Sequence, residues 1–130
     1  MIELSLTHTW RTPTVDGRIL DLREYLLDQL NLDWTVEKMA NKAGISLSHF
    51  PVAFGRVLKN TPAAWLKERR LEKAIHLIET TYDHIDQISL RIGMQDPSHF
   101  ARNFKDKYGL SPTEYRDQFH ENRLAELEKG

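Results

Sequence analysis

Apolar residues recur at intervals of three and four along most of this chain, the spacing of one face of an α-helix. The plainest run is Thr61 to Thr81, TPAAWLKERRLEKAIHLIETT, where Trp65, Leu66, Leu71, Ala74, Ile75 and Ile78 keep that spacing and Lys67, Arg69, Arg70 and Lys73 take polar positions. Thr61 is placed to cap the first free backbone amides. Pro62 takes the first helical position, where its fixed φ helps and its missing N–H costs nothing. The spacing therefore predicts a helix of about 18 residues, roughly 27 Å long at about 1.5 Å per residue. That is long for a chain of 130 residues, and it reads as a linker helix, 61–81, between two similar units.

The flanking segments show the same periodicity. Residues 1–14 have none and read as a flexible leader. From Asp16, the residues Ile19, Leu22, Leu26 and Leu30 predict a helix to about Leu32. Thr35 then caps a short helix, VEKMANKAG, ended by Gly44, and Ser46 is the next cap before a segment with Phe50, Phe54, Val57 and Leu58 facing inward. The first lobe is thus 15–60. In the second, 82–130, Asp83 caps HIDQISLRI, Gly93 makes a turn, and Asp96 with Pro97 starts a helix that buries Phe100, Phe104 and Tyr108 before Gly109 stops it. Ser111, Pro112 and Glu114 form a capping-box pattern ahead of a final helix, whose tail ENRLAELEKG is expected to be exposed and frayed.

The two flanks are copies. Ser48-His49-Phe50 matches Ser98-His99-Phe100 at an offset of 50, which also relates Phe54 to Phe104, Thr61-Pro62 to Ser111-Pro112 and Trp65 to Tyr115. Upstream the offset is 49, pairing Val36 with Ile85, Met39 with Ile88, Ala40 with Ser89 and Gly44 with Gly93, so one residue is inserted in the second turn near Asp96-Pro97. Each copy has the layout of a helix-turn-helix. Ala40 and Ser89 are small where a second helix crosses closely, Gly44 and Gly93 let the backbone turn, and Phe50 and Phe100 anchor the second helix.

These paired motifs resemble the AraC/XylS family of bacterial transcription regulators, whose DNA-binding domain has two helix-turn-helix lobes joined by a long helix. The likeness runs from about Ile19 to Arg116 and is strongest in IDQISLRIGMQDPSHFARNFKDKYGLSPTEYR, residues 85–116. It implies an all-α fold of two homeodomain-like helix-turn-helix subdomains joined by the central helix. It further implies sequence-specific binding to double-stranded DNA, with helices at roughly 47–58 and 97–107 entering successive major-groove segments about 34 Å apart. The family also implies an activator that contacts RNA polymerase. Its members commonly carry an effector or dimerisation domain, for which this chain has no room, so the chain reads as a stand-alone regulator or an excised C-terminal part.

On the second reading helix the inward turn of Phe100 and Phe104 leaves Ser98, Arg102 and Lys105 outside. Arg102 is the leading base-contact candidate, since its fork matches guanine O6 and N7, and Ser98 can reach a base or a phosphate. The first reading helix differs. Its base-contact candidates are Leu47, Ser48 and Val52; Leu47 and Val52 suit thymine methyl groups but offer no hydrogen bond. Pro51 falls inside that predicted helix, so its first turn is expected to be distorted or the helix to start later. Arg56, Lys59, Lys105, His49 and His99 are the phosphate-contact candidates, and the first lobe is expected mainly to position the protein while the second reads sequence.

Composition changes this picture little. The net charge is −1, yet residues 41–75 hold 7 basic against 2 acidic side chains, enough for a local patch although a solvated helix face would look the same. There is no cysteine, no apolar run of membrane-spanning length and no signal-peptide pattern, so the chain reads as cytoplasmic with no membrane partner. Six histidines have no close helical pairing and no cysteine to complete a zinc site. Neither a glycine-rich phosphate loop nor a nucleophile motif occurs, so no enzyme activity, metal or cofactor is expected. The alternative function is a helical protein-interaction module that keeps this fold with weak or no specific DNA binding.

Overall fold

In a computed structural model, residues 14–129 are described. They form seven α-helices: α1 Val15–Asp28, α2 Val36–Ala43, α3 Phe50–Leu58, α4 Pro62–Thr80, α5 Ile85–Arg91, α6 Pro97–Tyr108 and α7 Pro112–Lys129. Most of the expected leader, residues 1–13, lies outside the described residues. Thr14 belongs with the first lobe, because its Oγ1 accepts the Gly17 amide at 3.0 Å and caps α1. The chain divides into two compact units, one ending at Arg69 and the other beginning at Arg70, so the boundary falls inside α4.

In the first unit α1 stops at Asp28, short of the expected Leu32. The cause is Trp34, whose indole N–H donates to the Gln29 carbonyl at 2.8 Å and holds the chain in a turn that still buries Leu30. Thr35 caps α2 through the Lys38 amide at 3.1 Å, and Gly44 ends it in the left-handed region at φ 71°. Ile19, Leu22 and Leu26 of α1, Met39 and Ala40 of α2, Phe50, Ala53 and Phe54 of α3, and Trp65 and Leu66 of α4 then close one core. Burying each phenylalanine contributes about 1.5–3 kcal/mol.

The second unit repeats this with the far half of α4 standing where α1 stood. Leu71, Ala74, Leu77 and Ile78 of α4 pack with Ile88, Ile92, Phe100 and Phe104, so α4 is a wall of each core as well as the connection between them. The aromatic geometry repeats closely. Phe54 meets Trp65 at 5.8 Å and 79°, and Phe104 meets Tyr115 at 5.9 Å and 75°.

Asp83 is not the cap of α5. His84 holds that position, its amide donating to Gln87 Oε1 at 3.2 Å, while the Asp83 carboxylate is drawn to Arg91 and the Asp83 carbonyl accepts Arg116 Nη1 at 2.6 Å. Asp96 caps α6 by accepting the Ser98 amide at 3.0 Å. The Ser111 amide donates to Glu114 at 2.8 Å and the Glu114 amide to Ser111 Oγ at 3.1 Å, which completes the capping box and lowers the Glu114 pKa. The tail of α7 is exposed from Glu121 onward but helical through Lys129 rather than frayed.

Tyr115 donates its hydroxyl to Glu79 at 2.5 Å, tying α7 to α4. That bond to a carboxylate, aided by burial, pushes the Tyr115 pKa up to about 12. A raised tyrosine pKa adds stability that is complete below the unfolded value near pH 10 and disappears as pH rises through 12.

Candidate nucleic-acid interface

Two helix-turn-helix units are built from matching parts. In the first, the Gly44 amide donates to Asn41 at 3.1 Å and the Ile45 amide to Ala40 at 3.0 Å. In the second, the Gly93 amide donates to Leu90 at 3.0 Å and the Met94 amide to Ser89 at 2.9 Å, with Gly93 at φ 88°. Ala40 and Ser89 are both fully buried at the crossing. Ser89 brings a hydroxyl into the core and satisfies it by donating to the Met94 carbonyl at 2.6 Å.

The two reading helices start differently. Ser46 and Asp96 are equivalent caps: Ser46 Oγ accepts the His49 amide at 3.3 Å, and Asp96 Oδ1 accepts the His99 amide at 3.4 Å. The inserted residue of the second copy therefore lies between Met94 and Asp96. From Asp96 the chain enters α6 at once, with Pro97 at its first position. From Ser46 it makes a turn over residues 47–49, and α3 begins only at Phe50. Pro51 explains the delay. It has no amide to close a helical bond to the Leu47 carbonyl, but inside the first turn of a helix started at Phe50 that amide is not needed. The helix expected over 47–58 thus runs over Phe50–Leu58, whereas that expected over 97–107 is found at Pro97–Tyr108.

Ser98, Arg102 and Lys105 are all exposed and fall on one stripe of α6, opposite the buried Phe100 and Phe104. His99 is exposed beside them. On the first unit, Leu47 and Ser48 sit in the turn before α3 rather than on the helix, with Leu47 50% exposed. Val52 stands at the position equivalent to Arg102 and is 62% exposed. His49 is the exposed N-cap of α3, and Lys59 is its C-cap in a left-handed conformation at φ 61°.

Arg56 is exposed on α3, but it is engaged. Its Nε donates to Asp16 Oδ1 at 3.2 Å and its Nη2 pairs with the same oxygen, so a carboxylate at the start of α1 occupies the fork that a phosphate would need. Sequence reasoning missed Asp16 because 40 residues separate the partners and only the packing of α1 on α3 brings them together. Arg69 is likewise held, by Glu68 at 3.3 Å and over the Trp65 ring at 5.6 Å.

This arrangement recurs in known proteins. A family described as a helix-turn-helix domain matches residues 39–118. The HTH-type transcriptional regulator AlkR of Acinetobacter baylyi is 35% identical over 85 residues, which is 65% of this chain and 28% of AlkR. The DNA-binding domain of AdpA, solved in complex with a target DNA, superposes with a TM-score of 0.80 at 26% identity, covering 82% of this chain and 96% of that domain. A probable AraC family transcriptional regulator from Rhodopseudomonas palustris gives a TM-score of 0.69 at 28% identity, covering 79% of this chain and 97% of that one. The chain spans about a third of the length of the curated relatives it matches. A family match across most of both helix-turn-helix units places the chain in the AraC/XylS family of helix-turn-helix transcription regulators.

Proposed function

We propose that this chain binds double-stranded DNA sequence-specifically as a transcription regulator, with α6 the principal reader. The carrying observation is the exposed stripe of Ser98, Arg102 and Lys105 on a helix anchored by Phe100 and Phe104. A hydroxyl, a guanidinium and an ammonium at consecutive turns suit base edges flanked by phosphates. Arg102 has no hydrogen bond or ion pair among the described residues, which leaves its five donors available to guanine. The AdpA domain's complex with target DNA supports the reading. Activation through RNA polymerase, and an effector or dimerisation domain outside these residues, belong to the same proposal; the greater length of the relatives supports the second.

Selection from a random DNA pool, followed by binding measurements on the enriched sites, tests this directly. Arg102→Ala is expected to cost about 1–3 kcal/mol and to relax preference at one base pair. An equal loss on every sequence would reassign Arg102 to a phosphate, and no binding even at low salt would leave the protein-interaction module in its place.

Asp16 enters the same proposal as a restraint. Asp16→Asn removes the charge that holds Arg56, so affinity for duplex DNA is expected to rise about two- to fivefold at low salt, with a salt slope steeper by roughly one phosphate contact. An unchanged slope in a salt titration would mean that Arg56 makes no phosphate contact.

A further inference from the structure

The first helix-turn-helix presents a surface of a different chemistry from the second. Across the repeat, Ser98 corresponds to Ser48, Arg102 to Val52 and Lys105 to Gly55. Val52 follows Pro51, which is exposed and has no amide hydrogen, and Leu47 is exposed on the turn that precedes α3. The cation one turn further along α3, Arg56, is held by Asp16. Where α6 offers the guanidinium of Arg102, α3 therefore offers the aliphatic Val52, with Leu47 exposed on the turn just before the helix.

Leaving large apolar side chains in water is not required by the fold. The inward face of α3 already supplies Phe50, Ala53 and Phe54 to the core, so the outward positions were open to polar residues. A major groove displays one apolar feature, the C5-methyl group of thymine. We propose that Leu47 and Val52 read thymine methyl groups, so that the half-site of the first unit is specified by thymines recognised through van der Waals contact, while that of the second is specified by hydrogen bonds. This rests on the DNA-binding reading and gives the first lobe, expected mainly to position the protein, a share in reading sequence.

The test uses deoxyuridine, which pairs as thymine does and lacks only the methyl group. In a site obtained by selection, the half whose preference relaxes in Arg102→Ala belongs to the second unit, and the other half to the first. Replacing the thymines of the first half by deoxyuridine is expected to weaken binding about fourfold for each methyl contacted, the fold-change for losing about one buried carbon. Similar replacement in the second half leaves affinity nearly unchanged. In the Leu47→Ala/Val52→Ala double variant, whose substitutions are both at exposed positions, the deoxyuridine effect in the first half disappears. Thymine and deoxyuridine sites binding the wild type equally, or a selected first half without thymine, would overturn the methyl reading and leave DNA binding intact. Failure to bind any duplex at low salt would overturn both.

Discussion

Phe104→Ala is expected to lower the unfolding free energy of the second unit by about 3–5 kcal/mol, the usual cost of emptying a large aromatic site in a core. Phe104 is fully buried and meets Phe100 at 5.9 Å, Tyr108 at 4.8 Å and Tyr115 at 5.9 Å. Those neighbours come from α6 and α7 and are rigid rings, so the cavity cannot close by small adjustments. A unit of this size has a net stability of only about 5–15 kcal/mol, and each kcal/mol lost moves its midpoint by about 4–8 °C. Thermal unfolding followed by tyrosine signals should show a lowered transition, while Trp65 in the first core reports a smaller change. The same core fixes the outward face of α6, so DNA binding should weaken before the midpoint is reached. A midpoint like that of the wild type would mean that the second core is not centred on Phe104.

Much of this fold was legible because its signals are local. A threonine or serine before a proline, a glycine after a periodic run and a serine three residues before a glutamate each act within a turn of helix, and Thr61, Gly44, Gly109 and the Ser111–Glu114 box are found as read. The repeat added the long-range fact that Phe50 and Phe100 play the same part. What escaped depends on tertiary partners. Asp83 and His84 are adjacent polar residues before the same helix, and the choice between them turns on Arg91 and Arg116, which hold Asp83 away from the cap. The early stop of α1 rests on an indole from Trp34. The pairing of Arg56 with Asp16 escaped because nothing near Arg56 in the chain announces it.

The candidate surface divides in the same way. That Ser98, Arg102 and Lys105 share a face follows from helical geometry and two inward phenylalanines. That Leu47 and Ser48 lie on a turn instead of a helix follows from Pro51, whose effect was foreseeable as a delay but not as a particular turn tied to Ser46. The second half of α4 hid its role for a different reason. Leu71, Ala74 and Ile78 stand in the second core where Ile19, Leu22 and Leu26 stand in the first, at an offset that differs from both offsets of the downstream repeat.

Glu72→Pro tests what that shared helix does for binding. Glu72 is exposed, between Leu66, which belongs to the first core, and Ala74, which belongs to the second. Proline there removes the amide that would bond the Glu68 carbonyl and crowds that carbonyl, at a cost of about 3 kcal/mol or more borne by the middle of α4. The first core keeps all of its α4 residues, and the second keeps Ala74, Leu77 and Ile78 beyond the break, with Leu71 its one α4 residue before it. Proline is acceptable at the first position of the helical segment that remains. Both cores are therefore expected to persist, while affinity for a site containing both half-sites falls by about one to two orders of magnitude, because two contacts multiply only when one chain can make them together. Binding to an isolated second half-site should change little. Glu72→Ala, which keeps the helix, separates loss of the side chain from loss of continuity, and Glu72→Gly, at about 1 kcal/mol, should fall between. Composite-site affinity that survives Glu72→Pro would show that helix continuity is not what makes the two units act together. Loss of both cores would show instead that α4 folds as one piece with them, and that neither unit stands without the other.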